Sequence, residues 1–363
     1  MASFFEPAFS VFGIIPFHAS PFLLILLAND LAMSLPVVGT FPASIMTGQL
    51  AAALILGNVS TSFSLTWVAR LSFCGEHRST FMATFAQVDV TKLLILGFLL
   101  RISSGVLMFF GTCVSITADD KPKAFATRLG YSLINTGIVI SLLTVLFGSL
   151  NLAGLFLILA VIYLYLLAGF PDVKICAAKV RPPHVKGPPS WVLPLAGFAL
   201  LWLIFVGQPG FYSLHASFEF DDINLLLLVF SVPRIAAGVL LIAFNTALIK
   251  SGDNKGLILW GMAEISCVFA LIGEGPLEII LFVVVFLEIS LNILATYAQG
   301  TVAQEYPQLA VRFLAPTVML GAIAGPIVFG TLIGGNVHQI TIGLAVLACA
   351  IPTLINTVLR PTK

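Results

Sequence analysis

Seven polar residues interrupt otherwise apolar runs of this sequence, and they are the ones placed to do chemistry. Asp30 and its neighbour Asn29 fall in PFLLILLANDLAMSLPVV, Arg101 in LLILGFLLRISSGVLMFFG, and Gln208 in LIFVGQPGFYSLH. Arg234 follows Pro233 in LLVFSVPRIAAG, while Glu288 and Asn292 share VFLEISLNILATYAQG. A charge at mid-depth in a bilayer costs several kcal/mol, so such a residue turns toward a bundle interior or an aqueous cavity and takes a partner. Asp30 is the leading candidate for coupling to a proton or another cation, because a carboxylate's ionisation responds to burial and to a neighbouring arginine. The competing reading is a fixed Asp30–Arg101 pair that never titrates. Arg101 keeps its proton in either case and serves to tune Asp30 or to bind an anionic group.

The other positions have double readings too. Glu288 and Asn292 stand one helical turn apart and so on one face, with a functional or a structural role equally open. Arg234 sits where a proline kink would widen a cavity, or it reaches out toward Asp221 and Asp222. Asn29 and Gln208 supply hydrogen bonds either to a substrate or between helices. Glu264, in WGMAEISC, reads as a helix-joining or interfacial acid.

The elements that must position these residues follow from composition. Of 363 residues, 59% are hydrophobic and 9% charged, and the mean hydropathy is +1.08. Soluble domains carry about a quarter charged residues, so this chain reads as an all-α polytopic membrane protein. About twelve spans of the necessary length fit, near 17–39, 44–67, 79–93, 95–117, 128–149, 152–170, 191–213, 223–249, 256–273, 277–298, 312–334 and 339–358. The runs are too long for barrel strands. GEHR, at 75–78, reads as a cytoplasmic turn before a short third span; a third span starting near Val68 is the other option, at the cost of burying Glu76, His77 and Arg78.

Most lysines and arginines fall in alternate loops, including Arg70 and Arg78, then Lys121, Lys123 and Arg128, then Lys174, Lys179, Arg181 and Lys186. The opposite loops carry Glu219, Asp221, Asp222, Glu274 and Glu278, so the bias predicts an even number of spans with both termini cytoplasmic. The five cysteines have no metal or redox spacing and read as packing residues. A net charge of +1 gives no reason to expect a nucleic-acid partner. No GxxxxGK[ST] loop, HExxH or GxSxG appears, so neither ATP hydrolysis by that route nor an enzyme is expected, and no cofactor is.

The basic, proline-rich stretch near 171–190 divides the chain into an N-terminal unit, 1–170, and a C-terminal unit, 191–363. The two units share a pattern. Asp120-Lys-Pro122 then Arg128 precedes one apolar run, and Glu305-Tyr-Pro307 then Arg312 precedes another. Such repeats build many secondary transporters, with the site at the repeat interface.

Two six-span halves, a basic central linker and cytoplasmic termini resemble the major facilitator superfamily. LLRISSG resembles its fourth-helix arginine–glycine motif, LANDLAMSLP the acidic first helix of its drug–proton antiporters, and LGAIAGPIVFG its GxxxGP motif, here near the eleventh span. TWVARLSFCGEHR departs from the usual loop between helices 2 and 3 by lacking its aspartate, and the fifth span keeps Gly137 without a following Gly-Pro pair. The resemblance implies two pseudo-symmetric six-helix bundles that rock about a central site lined by Asp30, Arg101, Arg234 and Glu288. It implies a monomer that moves a small molecule, coupled to protons or another ion; compact loops point to a bacterial inner membrane, with an organellar or plasma membrane as the alternative. Efflux of a lipophilic or cationic compound is the first expectation; transport of an anionic metabolite, or a non-transporting member of the fold, is the alternative. If Asp30→Asn left pH-driven transport unchanged, coupling at Asp30 would fail.

Overall fold

The computed structural model describes residues 13, 35–58, 67, 70–72, 74–75, 77–78, 81, 90–146, 152–168, 223–250, 277–305 and 307–334. Seven helices make up the main described segments: α1 (Leu35–Asn58), α2 (Val90–Thr117), α3 (Lys121–Leu146), α4 (Leu152–Ala168), α5 (Ile223–Lys250), α6 (Leu277–Glu305) and α7 (Pro307–Gly334). No strand occurs among the described residues. The described part of the fold is helical, as composition and run length lead one to expect.

Where helices begin has a local cause. Pro36, Pro122 and Pro307 each fall in the first turn of α1, α3 or α7, where the missing N–H has no helical acceptor to lose. Asp120 caps α3: its Oδ1 accepts from Lys123 N at 3.1 Å while its carbonyl accepts from Ala124 N at 3.0 Å. At the α2–α3 junction, then, the acid-x-proline pattern marks a capped helix start. Loss of the side-chain cap in Asp120→Ala is expected to destabilise the chain by about 0.5–2 kcal/mol in reversible unfolding, with Asp120→Asn close to wild type.

Several expected boundaries move. Helix α1 runs unbroken through 39–44, where a loop was expected between the first two spans, and α2 runs unbroken through 93–95. Apolar side chains continue on both sides of each expected break, so no run of polar residues exists there to end a helix. Gly75, His77 and Arg78 are helical, as are Trp67, Arg70, Leu71 and Phe81, so these three residues of GEHR do not form the expected turn. Arg128, expected in a loop, lies inside α3 and is buried. The boundaries near 152–170 and 223–249 agree with α4 and α5. The expected spans at 191–213, 256–273 and 339–358, and the linker at 171–190, fall outside the described residues.

Helices from either side of that linker pack together. Helix α1 lies along α2 and α7, α3 lies along α5, and α6 touches α3, α5 and α7. The closest seams are built on glycine, which lets backbones approach without a side chain between them. A Cβ on Gly105 of α2 would lie 2.7 Å from Gln49 Cα and 2.7 Å from Gln49 O on α1. This accounts for the glycine of the LLRISSG stretch by packing alone. On the α3–α5 seam, a Cβ on Gly130 would lie 2.9 Å from Gly238 O, and one on Gly137 would lie 2.8 Å from Ser231 O. Gly130 and Gly137 also face Ile242 and Ile235, so branched side chains of α5 fill the spaces that the glycines leave.

Apolar side chains also cover the outside. On α4, Leu157, Val161 and Leu164 form an exposed stripe, while Phe156, Leu159, Ala160 and Tyr163 are buried on the other face. Val232, Val239 and Phe244 on α5, and Ile279, Phe282 and Phe286 on α6, are exposed in the same way. Inside, by contrast, stand Gln49, Arg101, Arg128, Arg234, Glu288 and Asn292. Among the described residues one helical segment, Gly97–Thr117, is long and apolar enough by length and composition to cross a membrane; Ala43–Gly57, Ser231–Phe244 and Phe313–Ala324 are shorter apolar segments.

Candidate functional site

Three of the residues singled out in the sequence meet in one place. Helix α5 carries Arg234 directly after Pro233, which lies inside the helix and cannot donate a backbone hydrogen bond. Helix α6 carries Glu288 and, one turn on, Asn292. Arg234 Nε stands 3.5 Å from Glu288 Oε1. Asn292 Nδ2 donates to the Glu288 carbonyl at 2.6 Å and approaches Glu288 Oε2 at 3.4 Å. One carboxylate oxygen thus faces the guanidinium and the other faces an amide.

The surroundings explain why the pair holds. Arg234 and Glu288 are 2% and 7% exposed, so neither charge has ready access to bulk water. Ala126 and Leu133 of α3, Ala237 and Leu241 of α5, and Ile289 and Ile293 of α6 form one continuous apolar cluster. This cluster fixes α5 and α6 against α3. A buried ion pair gains little net stability over an apolar pair, yet losing one partner strands the other charge at a cost of about 3–5 kcal/mol. Such a pair is poised: it is stable while intact and strongly responsive to anything that competes for either partner.

The polar stripe on α6 continues past the pair. Thr296 and Gln299 follow Asn292 at helical spacing, and both are buried. Among the described residues, Asn292 Oδ1 and Thr296 Oγ1 lack hydrogen-bond partners. The spacing of Glu288, Asn292, Thr296 and Gln299 in an apolar helix was the signal for this stripe, and only its first two members were singled out from the sequence.

Arg101, also expected at the site, lies on α2 against α1, where a Cβ on Gly48 would come 3.3 Å from Arg101 Cβ. It is buried, at 2% exposure. Asp30, Asn29 and Gln208 lie outside the described residues, as does Glu264, so the Asp30–Arg101 pairing has no geometry here. The first described residue after Asp30 is Leu35, at the start of α1.

Sequence reasoning missed two polar nodes. Gln49 Nε2 donates to Ser104 Oγ at 2.9 Å and to Gly13 O at 3.2 Å, and Ser104 Oγ donates to the same carbonyl of Gly13. Arg128 Nη1 donates to Thr112 Oγ1 at 2.9 Å, joining α3 to α2. No protein-family model matches this chain, and no curated protein matches it either.

Proposed function

We propose that the chain is a secondary active transporter of the major facilitator type, with twelve membrane-spanning helices in two six-helix bundles that alternate access to a central site. Support comes from the apolar side chains exposed along α4, α5 and α6, from the few charged side chains buried within an otherwise apolar interior, and from the contacts of α1 with α7 and of α3 with α5. These contacts bring together helices that precede and follow the proline-rich linker. The single observation that carries the site is the buried Arg234–Glu288 pair at 3.5 Å.

The pair suggests how transport is coupled. An anionic cargo that reaches Arg234 competes with Glu288 for the guanidinium. A carboxylate displaced from its partner in an apolar interior is neutralised by taking up a proton, because an isolated buried charge is too costly. Anion and proton then bind together and move together. When the cargo leaves, Glu288 gives up its proton and returns to Arg234. The exchange takes an anionic cargo such as a carboxylate or phosphate compound, because Arg234 is the group that the cargo engages.

Efflux of a lipophilic or cationic compound in exchange for protons is the second reading. It rests on Glu288 as a buried carboxylate that a cation would compete for against Arg234. Uptake of labelled organic acids and labelled lipophilic cations into proteoliposomes, with and without an imposed pH gradient, separates the two. Gradient-stimulated movement of acids supports the first reading, and gradient-stimulated movement of cations supports the second. Movement of neither class overturns the proposal of transport.

A further inference from the structure

We propose that Arg128, with Ser132 and Thr112, forms a binding site for a small oxyanion, a phosphate or carboxylate group, at the α2–α3 corner. Arg128 is buried, at 5% exposure, and among the described residues no carboxylate pairs with it. Its hydrogen bond runs from Nη1 to Thr112 Oγ1 at 2.9 Å. The Thr112 hydroxyl donates in turn to Met108 O at 2.9 Å, so its oxygen is held in place to accept from the guanidinium. Phe125, fully buried, lies with its ring centroid 5.7 Å from Arg128 Cζ.

These neutral contacts do not compensate a buried guanidinium. Burying an ion costs several kcal/mol even after relaxation, whereas a cation–π contact returns about 0.5–2 kcal/mol and one hydrogen bond to a charged group about 1.5–3 kcal/mol. Two donors remain unused. Arg128 Nε and Ser132 Oγ are both buried without a hydrogen-bond partner among the described residues. Ser132 follows Arg128 by one turn and so shares its face of α3. The Thr136 hydroxyl, a further turn on, already donates to Ser132 O at 2.8 Å. A full positive charge, beside a guanidinium N–H and a hydroxyl that can both donate, selects a ligand that is negatively charged and rich in acceptors. That chemistry is common to free phosphate, carboxylates and lipid headgroup phosphates. The site rests on α2 and α3 alone and stands whether or not the Arg234–Glu288 pair drives transport.

The test uses the purified full chain in nanodiscs of phosphatidylcholine. Melting temperature is followed as sodium phosphate or sodium acetate is added, against sodium chloride at equal ionic strength. Phosphate binding is measured directly with the radiolabelled anion. Wild type is expected to melt at higher temperature with phosphate or acetate, and Arg128→Met to bind at least about tenfold more weakly. Arg128→Lys retains part of the response. If soluble anions act weakly but nanodiscs containing phosphatidylglycerol raise the melting temperature of wild type and not of Arg128→Met, the ligand is a lipid headgroup. Absence of any response of wild type to soluble anions and to anionic lipid overturns the proposal, as does an equal response from Arg128→Met. Should Arg128→Met fail to fold, Ser132→Ala replaces it: weakened anion binding supports the site, and unchanged binding contradicts it.

Discussion

Arg234→Met is expected to destabilise the folded chain by about 3–5 kcal/mol, while the double variant Arg234→Met/Glu288→Met returns to within about 1–2 kcal/mol of wild type or exceeds it. The asymmetry follows from burial. The single substitution strands the buried Glu288 carboxylate, with Asn292 as a polar neighbour among the described residues. The double substitution removes both desolvation penalties and leaves an apolar contact between α5 and α6. Denaturant unfolding in micelles, followed through a double-mutant cycle, measures the coupling. Equal losses in the single and double variants would show that the two side chains do not depend on one another. Transport is expected to be lost in both variants, because stability and coupling are separate uses of the pair.

Gly238→Val is expected to be the most damaging change away from the charges, lowering the yield of folded protein severely. A Cβ at Gly238 would lie 2.7 Å from Ile134 Cγ1 and 3.1 Å from the Ile134 backbone nitrogen on α3. Side chains can rotate away, but a backbone atom moves only if the helix moves. Overpacking a well-packed seam costs about 1–3 kcal/mol per site, and more where backbone must shift. Gly137→Val meets Ser231 O and is expected to behave similarly. Leu142→Val, on the exposed face of α3, is the control and should leave yield and melting temperature unchanged. If the Gly238 variant matched that control, α3 and α5 would not pack as described.

The helical class was legible in the sequence, and so were some of the buried polar residues, for reasons that individual residues make plain. Arg234, Glu288 and Asn292 stood out because a charge or amide within an apolar helix must find a partner. Their meeting across two helices was not legible, since it depends on how α5 and α6 cross. Arg128 shows the opposite case. Two lysines precede it and a proline stands close by, so it read as part of a basic loop. The Asp120 cap and Pro122 instead start the helix at Lys121 and carry Arg128 into the interior. Gly39 and Pro42 stand where a break was expected, near 39–44. Neither stops α1, in which Ser44 and Thr47 hydroxyls bond to the Phe41 and Ala43 carbonyls. Glycine in LLRISSG was read as part of a motif, and its close approach to Gln49 supplies the physical reason.

The proposed mechanism turns on one exchange, in which cargo takes Arg234 and a proton takes Glu288. The most direct measurement is the proton count on cargo binding, read in weakly buffered solution as an anion that the transport assay identifies is added to purified protein. Wild type is expected to take up close to one proton per anion bound, whereas Glu288→Gln binds the anion with no proton uptake. Equal proton uptake by wild type and Glu288→Gln, or anion binding to wild type with none, would contradict the account.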